Sequence, residues 1–195
     1  MNLLLKISGL VDALNERVGR SIMWLVLVAV FLSAGNAIAR KAFRVGSNAL
    51  IDMQWYLFSA VFLLCAGYVF LKNVHVRIDF VSGRLTPKVR SLIDIIGIVV
   101  FLLPFCWIVI RMSWPLFFNA WKSGEMSQNA GGLIRWPVYL LMPTGIAFLF
   151  LQSISELIKR IAFLRGLIPD PLAHVQEEKP PSGEKESGKS ALEAG

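Results

Sequence analysis

The chain has 195 residues, a mean hydropathy of +0.60, 55% hydrophobic and 17% charged residues, and a formal net charge of +7. A soluble domain of this size needs far more charge to cover its surface, so the composition points to a membrane protein. The excess of positive charge does not indicate nucleic acid, because the basic residues flank apolar stretches and do not gather on one face of a domain.

In residues 1–20, Leu3, Ile7, Leu10, Leu14 and Val18 recur at helical spacing, which predicts an amphipathic helix lying along the membrane interface. Four apolar stretches follow at about 21–39, 53–71, 93–110 and 136–155. Each is close to the ~20 residues that cross ~30 Å of hydrocarbon. The predicted fold is an all-α integral membrane protein. A four-helix transmembrane domain covers 21–160, behind an interfacial segment at 1–20. Ala37 and Ala39 form an A-x-A arrangement after the first apolar run, as before a signal cleavage site. The long preceding region, with Asp12 and Glu16, favours a retained helix.

The second span opens on Trp55 and Tyr56 and stops at Leu71, where "KNVHVRIDF" begins. There Lys72, His75 and Arg77 can snorkel to headgroups, Asp79 is in reach of a local ion pair, and Val76, Ile78, Phe80 and Val81 keep the chain in the interface. Thr86-Pro87 reads as an N-cap with Pro at the first helical position, opening the third helix. Pro104 and Pro143, inside the third and fourth spans, predict kinks. Trp114, Phe117, Phe118 and Trp121 follow the third span, and Trp136 and Tyr139 open the fourth, as an aromatic belt would. Cys65 and Cys106 lie inside spans and read as small hydrophobes. The tail, 166–195, is rich in Pro, Gly, Ser, Glu and Lys and is expected to be disordered, with His174 alone in it.

The cores of the four predicted spans contain no Asp, Glu, Lys, Arg or His, with Asp94 and Glu156 standing at cytoplasmic ends. Intramembrane ionisable groups normally mark ion pathways, proton relays or ligands, so no cofactor or metal is expected. Lys6, Arg17, Arg20, Lys72, Arg77, Arg84, Lys88, Arg90, Lys159, Arg160 and Arg165 fall on one side of the membrane. Arg40, Lys41, Arg44, Arg111, Lys122 and Arg135 fall on the other. The positive-inside bias then places both termini in the cytoplasm.

"DMQWYLFSAVFLLCAGYVFLKNVHVRIDF" resembles the signature of the small membrane subunit (DctQ-type) of TRAP transporters. The matching positions are Asp52, Gln54, Trp55, Phe58, Gly67, Tyr68, Lys72, Asn73, His75, Val76, Arg77 and Asp79. A second block, "SGEMSQNAGGLIRWPVYLLMPTG", is similar to that family's loop before its last helix, through Gly124, Glu125, Ser127, Gly131, Gly132, Trp136, Pro137 and Pro143; Arg40 also fits. Asp52 stands where the family more often has Glu, and the tail has no counterpart. The resemblance spans about residues 20–160 and implies a non-catalytic scaffold in a bacterial inner membrane. Its partners would be a large membrane subunit, a periplasmic substrate-binding protein and membrane lipid, in cation-coupled uptake of an organic acid.

On that resemblance, Lys72, His75, Arg77 and Asp79 brace one rim against lipid or the large subunit, and the Ser123–Arg135 loop faces the binding protein. Residue chemistry alone leaves plainer readings. Gly124, Gly131 and Gly132 suit turns, Glu125 can cap or pair with Lys122, and Arg40 and Asp52 are in reach of each other across the first loop. A stand-alone assembly or signalling protein shares the predicted topology. An integral-membrane enzyme would have to be built on His75, Arg77 and Asp79.

Overall fold

A computed structural model describes residues 2–43, 47–72 and 86–168. His75, Arg77, Asp79 and the tail beyond residue 168 lie outside the described residues. The chain forms four long helices: α1 (Asn2–Phe43), α2 (Asn48–Leu71, with one turn residue at Cys65), α3 (Pro87–Ser123) and α4 (Trp136–Leu164). All four are long and apolar enough to cross a membrane, and the expected all-α fold is observed.

Each helix is longer than its apolar stretch. The amphipathic N-terminal segment and the first span are one unbroken helix, α1, with no boundary at residue 20. Helix α3 continues to Ser123, so Trp114, Phe117, Phe118 and Trp121 lie on it and not after it. Backbone hydrogen bonds are satisfied within a helix whatever the side chains, so hydropathy marks the lipid-facing length but not the helix end. Helix α3 starts as expected, with Thr86 extended and Pro87 in the first turn, although the Thr86 side chain makes no capping bond.

The prolines act in two ways. Pro104 follows a π-helical turn at Ile98–Leu102. Proline cannot donate to the carbonyl four residues back, and a widened turn gives its ring room. Pro143 lies inside α4, where Thr144 Oγ1 donates to the Leu140 and Leu141 carbonyls at 2.7 and 3.1 Å.

Helix α4 packs against all three others, and α1 also packs on α2. Two glycines allow the close approach. A Cβ on Gly145 would lie 2.6 Å from the Leu63 carbonyl oxygen, and one on Gly67 would lie 3.1 Å from that of Phe148. The interior is mostly small or polar (Ala29, Ala60, Gly67, Ala162, Ser8, Asn15, Ser153), with Ile22, Ile98 and Ile146 among them, whereas Trp24, Phe31, Phe62, Phe101 and Trp107 point outward. Lipid tails solvate large apolar groups as well as a core does, so dispersion between small residues and polar bonding hold such helices together.

Candidate functional site

One end of the bundle is built around Asp52, in the first turns of α2. The chain leaves α3 through Gly124, whose φ of 61° is the left-handed conformation glycine adopts without penalty. It folds back on itself before α4, with Ser127 N–H donating to the Leu133 carbonyl at 2.8 Å and Arg135 N–H to that of Glu125 at 2.9 Å. Asp52 is buried beneath this loop. Its carboxylate accepts from Asn129 Nδ2 at 2.8 Å and from the Leu133 amide at 3.2 Å. Gly132 passes so close that a Cβ there would lie 2.6 Å from Asp52 Oδ2. Asn48 Nδ2 donates to the Ala130 carbonyl at 3.0 Å, and Tyr56 Oη to that of Ile134 at 3.1 Å.

Glu125 and Arg135 close the far side of the loop with a 2.7 Å ion pair, and the guanidinium lies 5.8 Å from the Tyr139 ring centre. The Glu125 hydrogen bond raises the arginine pKa above its ordinary value, so the guanidinium keeps its charge across the physiological range. A cavity of about 330 Å³ opens between this loop, α2 and α4, with Asp52, Trp55, Tyr56, Asn129, Arg135 and Tyr139 among its lining. Beside it, Trp136 stacks edge-on against Trp121, their ring centres 4.7 Å apart.

The structure therefore gathers Asp52, Trp55, Gly124, Glu125, Ser127, Gly131, Gly132, Trp136 and Pro137 at one end, while Gln54 stands half-buried on α2 beside them. Two pairings differ from expectation. Asp52 turns to the loop and not to Arg40, which is exposed in the last turn of α1. Glu125 pairs with Arg135 and not with Lys122. In both cases loop backbone amides and a folded-back chain offer nearer partners than sequence neighbours do. Lys72 lies at the opposite end, bonded to Glu16 of α1 at 3.2 Å.

That opposite end carries a polar seam that the apolar pattern concealed. Asp12 Oδ1 accepts from Gln152 Nε2 and Ser155 Oγ, both at 2.8 Å, and Asn15 Nδ2 donates to Gln152 Oε1 at 2.9 Å. Ser8 and Ser155 hydroxyls meet at 2.7 Å. Lys159 bridges Asp12 at 2.8 Å and Glu156 at 2.6 Å, and Arg160 joins Asp94 of α3 at 2.5 Å. Ser8, Asp12 and Asn15 recur at helical spacing, as do Gln152, Ser155, Glu156 and Lys159, so complementary polar faces were present to be read. Among the described residues, no group of three or more His, Cys, Asp or Glu is placed to hold a metal ion.

Asp52→Ala is expected to release the loop while leaving the helices intact. Removing a buried acceptor strands its donors at about 1–3 kcal/mol. Hydrogen exchange at Leu133 should accelerate at least tenfold, with exchange within α4 unchanged. Unaltered protection at Leu133 would show that the loop is held by its own turns.

The family model described as "Tripartite ATP-independent periplasmic transporters, DctQ component" matches residues 30–163. No curated protein and no solved structure matches the chain.

Proposed function

We propose a role for the chain from the premise that it belongs to the DctQ component family of the tripartite ATP-independent periplasmic transporters, a transporter-component family and not an enzyme family, and so is a multi-pass membrane protein and the small component of such a transporter. The role is that of the scaffold subunit. It pairs with a large membrane subunit in a bacterial inner membrane and serves cation-coupled uptake of an organic acid delivered by a periplasmic binding protein. The observation that supports this reading most is where the bundle keeps its acidic groups, the ones a cation path would need. Asp52 is bound to a surface loop, and Asp12, Glu156, Lys159, Arg160 and Asp94 are bound to one another at the opposite end. Groups fixed in this way brace helices, whereas a transport path needs groups that can exchange partners with an ion.

On this reading both termini are cytoplasmic, and the Asp52 end, with the Gly124–Arg135 loop and its cavity, is the periplasmic docking face for the binding protein. The interior seam then lies at the cytoplasmic rim beside Lys72. His75, Arg77 and Asp79 remain proposed contacts for that rim.

Affinity purification of the tagged chain from mild detergent tests the assignment. The expected result is a large multi-span subunit retained in one-to-one amount. A chain that runs alone across several detergents would displace the scaffold reading in favour of a stand-alone membrane protein.

A further inference from the structure

Helix α3 carries an arginine in an unexpected place. Hydropathy places Arg111 just beyond the third apolar stretch, but α3 runs a further 12 residues to Ser123. Two contacts fix how far along the bundle it stands. Arg160 meets Asp94 near one end of the antiparallel α3–α4 pair, and Trp121 meets Trp136 near the other. Interpolating between them puts Arg111 level with Pro143–Ile146 of α4. That stretch packs through Gly145 on Leu63 of α2, well inside the span Asn48–Leu71.

The side chain points outward. Arg111 is exposed, and so are Trp107, Ile108 and Trp114, its neighbours on the same face three and four residues away. No ion pair or hydrogen bond to Arg111 is formed among the described residues. A bare guanidinium on a hydrocarbon-facing surface costs several kcal/mol at mid-depth. Snorkelling is the usual escape, but at 1.5 Å per residue about 15 Å of helix separates Arg111 from Trp121 at the aromatic flank, and about 26 Å separates it from Asp94 at the other rim. In α-helices side chains lean toward the N-terminus, which here is the longer way out. The remaining route is a fixed anion at the same depth, which a phospholipid headgroup does not reach and a protein side chain does.

We propose that the Trp107–Arg111–Trp114 face of α3 is the docking surface for the large membrane subunit, and that Arg111 pairs there with an acidic side chain in one of that subunit's transmembrane helices. This rests on the scaffold reading above and adds the helix, the face and the chemistry of the contact. The flanking tryptophans supply flat apolar area around the pair and exclude water from it, as the surroundings of an interface anchor do. Arginine suits the role because its planar, permanently charged group binds a carboxylate through two parallel hydrogen bonds.

The test co-expresses the full-length tagged chain with the large subunit and compares wild type, Arg111→Met, Arg111→Lys and Met112→Leu. Arg111→Met should retain at least tenfold less large subunit, Arg111→Lys should recover part of the loss, and Met112→Leu should behave as wild type. The purified small chain alone should melt at the same temperature with or without Arg111→Met, because Arg111 holds nothing within it. If wild type retains no large subunit, the scaffold reading fails. If wild type retains it and Arg111→Met does so equally, only the present proposal fails. An Arg111→Met chain that keeps the subunit but loses a bound anionic phospholipid assigns the guanidinium to a headgroup and overturns the proposal. A melting temperature lowered by Arg111→Met in the isolated chain makes Arg111 a structural residue and overturns the proposal as well.

Discussion

Arg160→Met is expected to destabilise the protein by about 3–5 kcal/mol, the usual cost of removing one partner from a buried charge cluster. Arg160 is 2% exposed and Glu156 also 2%, so neither can turn to solvent for compensation. The substitution removes the longer 3.9 Å approach to Glu156 within α4 and the 2.5 Å bond to Asp94, which ties α3 to α4 at the end where Ser8, Asp12 and Asn15 tie α1. With about 2–4 °C lost per kcal/mol in a chain of this size, melting in detergent should fall by roughly 10 °C. A triple variant, Arg160→Met with Asp94→Asn and Glu156→Gln, separates lost attraction from stranded charge. It should recover part of the loss, since it removes the carboxylate charges that faced Arg160 while Lys159 keeps Asp12 as its anionic partner. A single variant that melts within about 2 °C of wild type would mean that the seam does not hold these helices together.

Gly145→Ala should cost about 1–3 kcal/mol, and Gly145→Val more, through overpacking at the α2–α4 crossing. An added Cβ would sit 2.6 Å from the Leu63 carbonyl oxygen and 2.7 Å from its carbon, which are backbone atoms that cannot move unless α2 moves with them. The contrast is with Gly35→Ala and Gly97→Ala, where nothing lies within 4 Å of the new atom. Those two should be neutral or stabilising by about 0.5–1 kcal/mol, because alanine surrenders less backbone entropy than glycine in a helix. Thermal melting of the four variants decides the matter. If all behave alike, the cost belongs to helix propensity and the close crossing plays no part.

Both predictions concern contacts between helices, which are what hydropathy does not report. Leu3, Ile7, Leu10 and Leu14 predicted an amphipathic helix, and the helix is there, but those leucines and the isoleucine face outward. The same helix turns Ser8, Asp12 and Asn15 inward, onto polar residues of α4. In a water-soluble protein the apolar stripe would mark the buried face. Beside lipid the preference reverses, and the polar stripe becomes the one that needs a partner. Asp52 shows the same limit at the other end. Its place in a "DMQW" motif marked it for attention, yet its partners, Asn129 and the Leu133 amide, lie about eighty residues further along the chain.

By itself the sequence determined the number of spans, their order, the aromatic flanks and the family. These follow from composition and from motifs within one segment, and each apolar stretch is stable as a helix in lipid independently of its neighbours. Only the tertiary structure decided that α1 is unbroken, that Asp52 anchors the α3–α4 loop, that Asp12, Glu156 and Arg160 belong to one seam, and that Arg111 stands exposed within α3 and not beyond it. The physical reason is that a buried polar group is satisfied by whichever partner the packing brings within about 3 Å, and residues far apart in sequence compete for that place on equal terms.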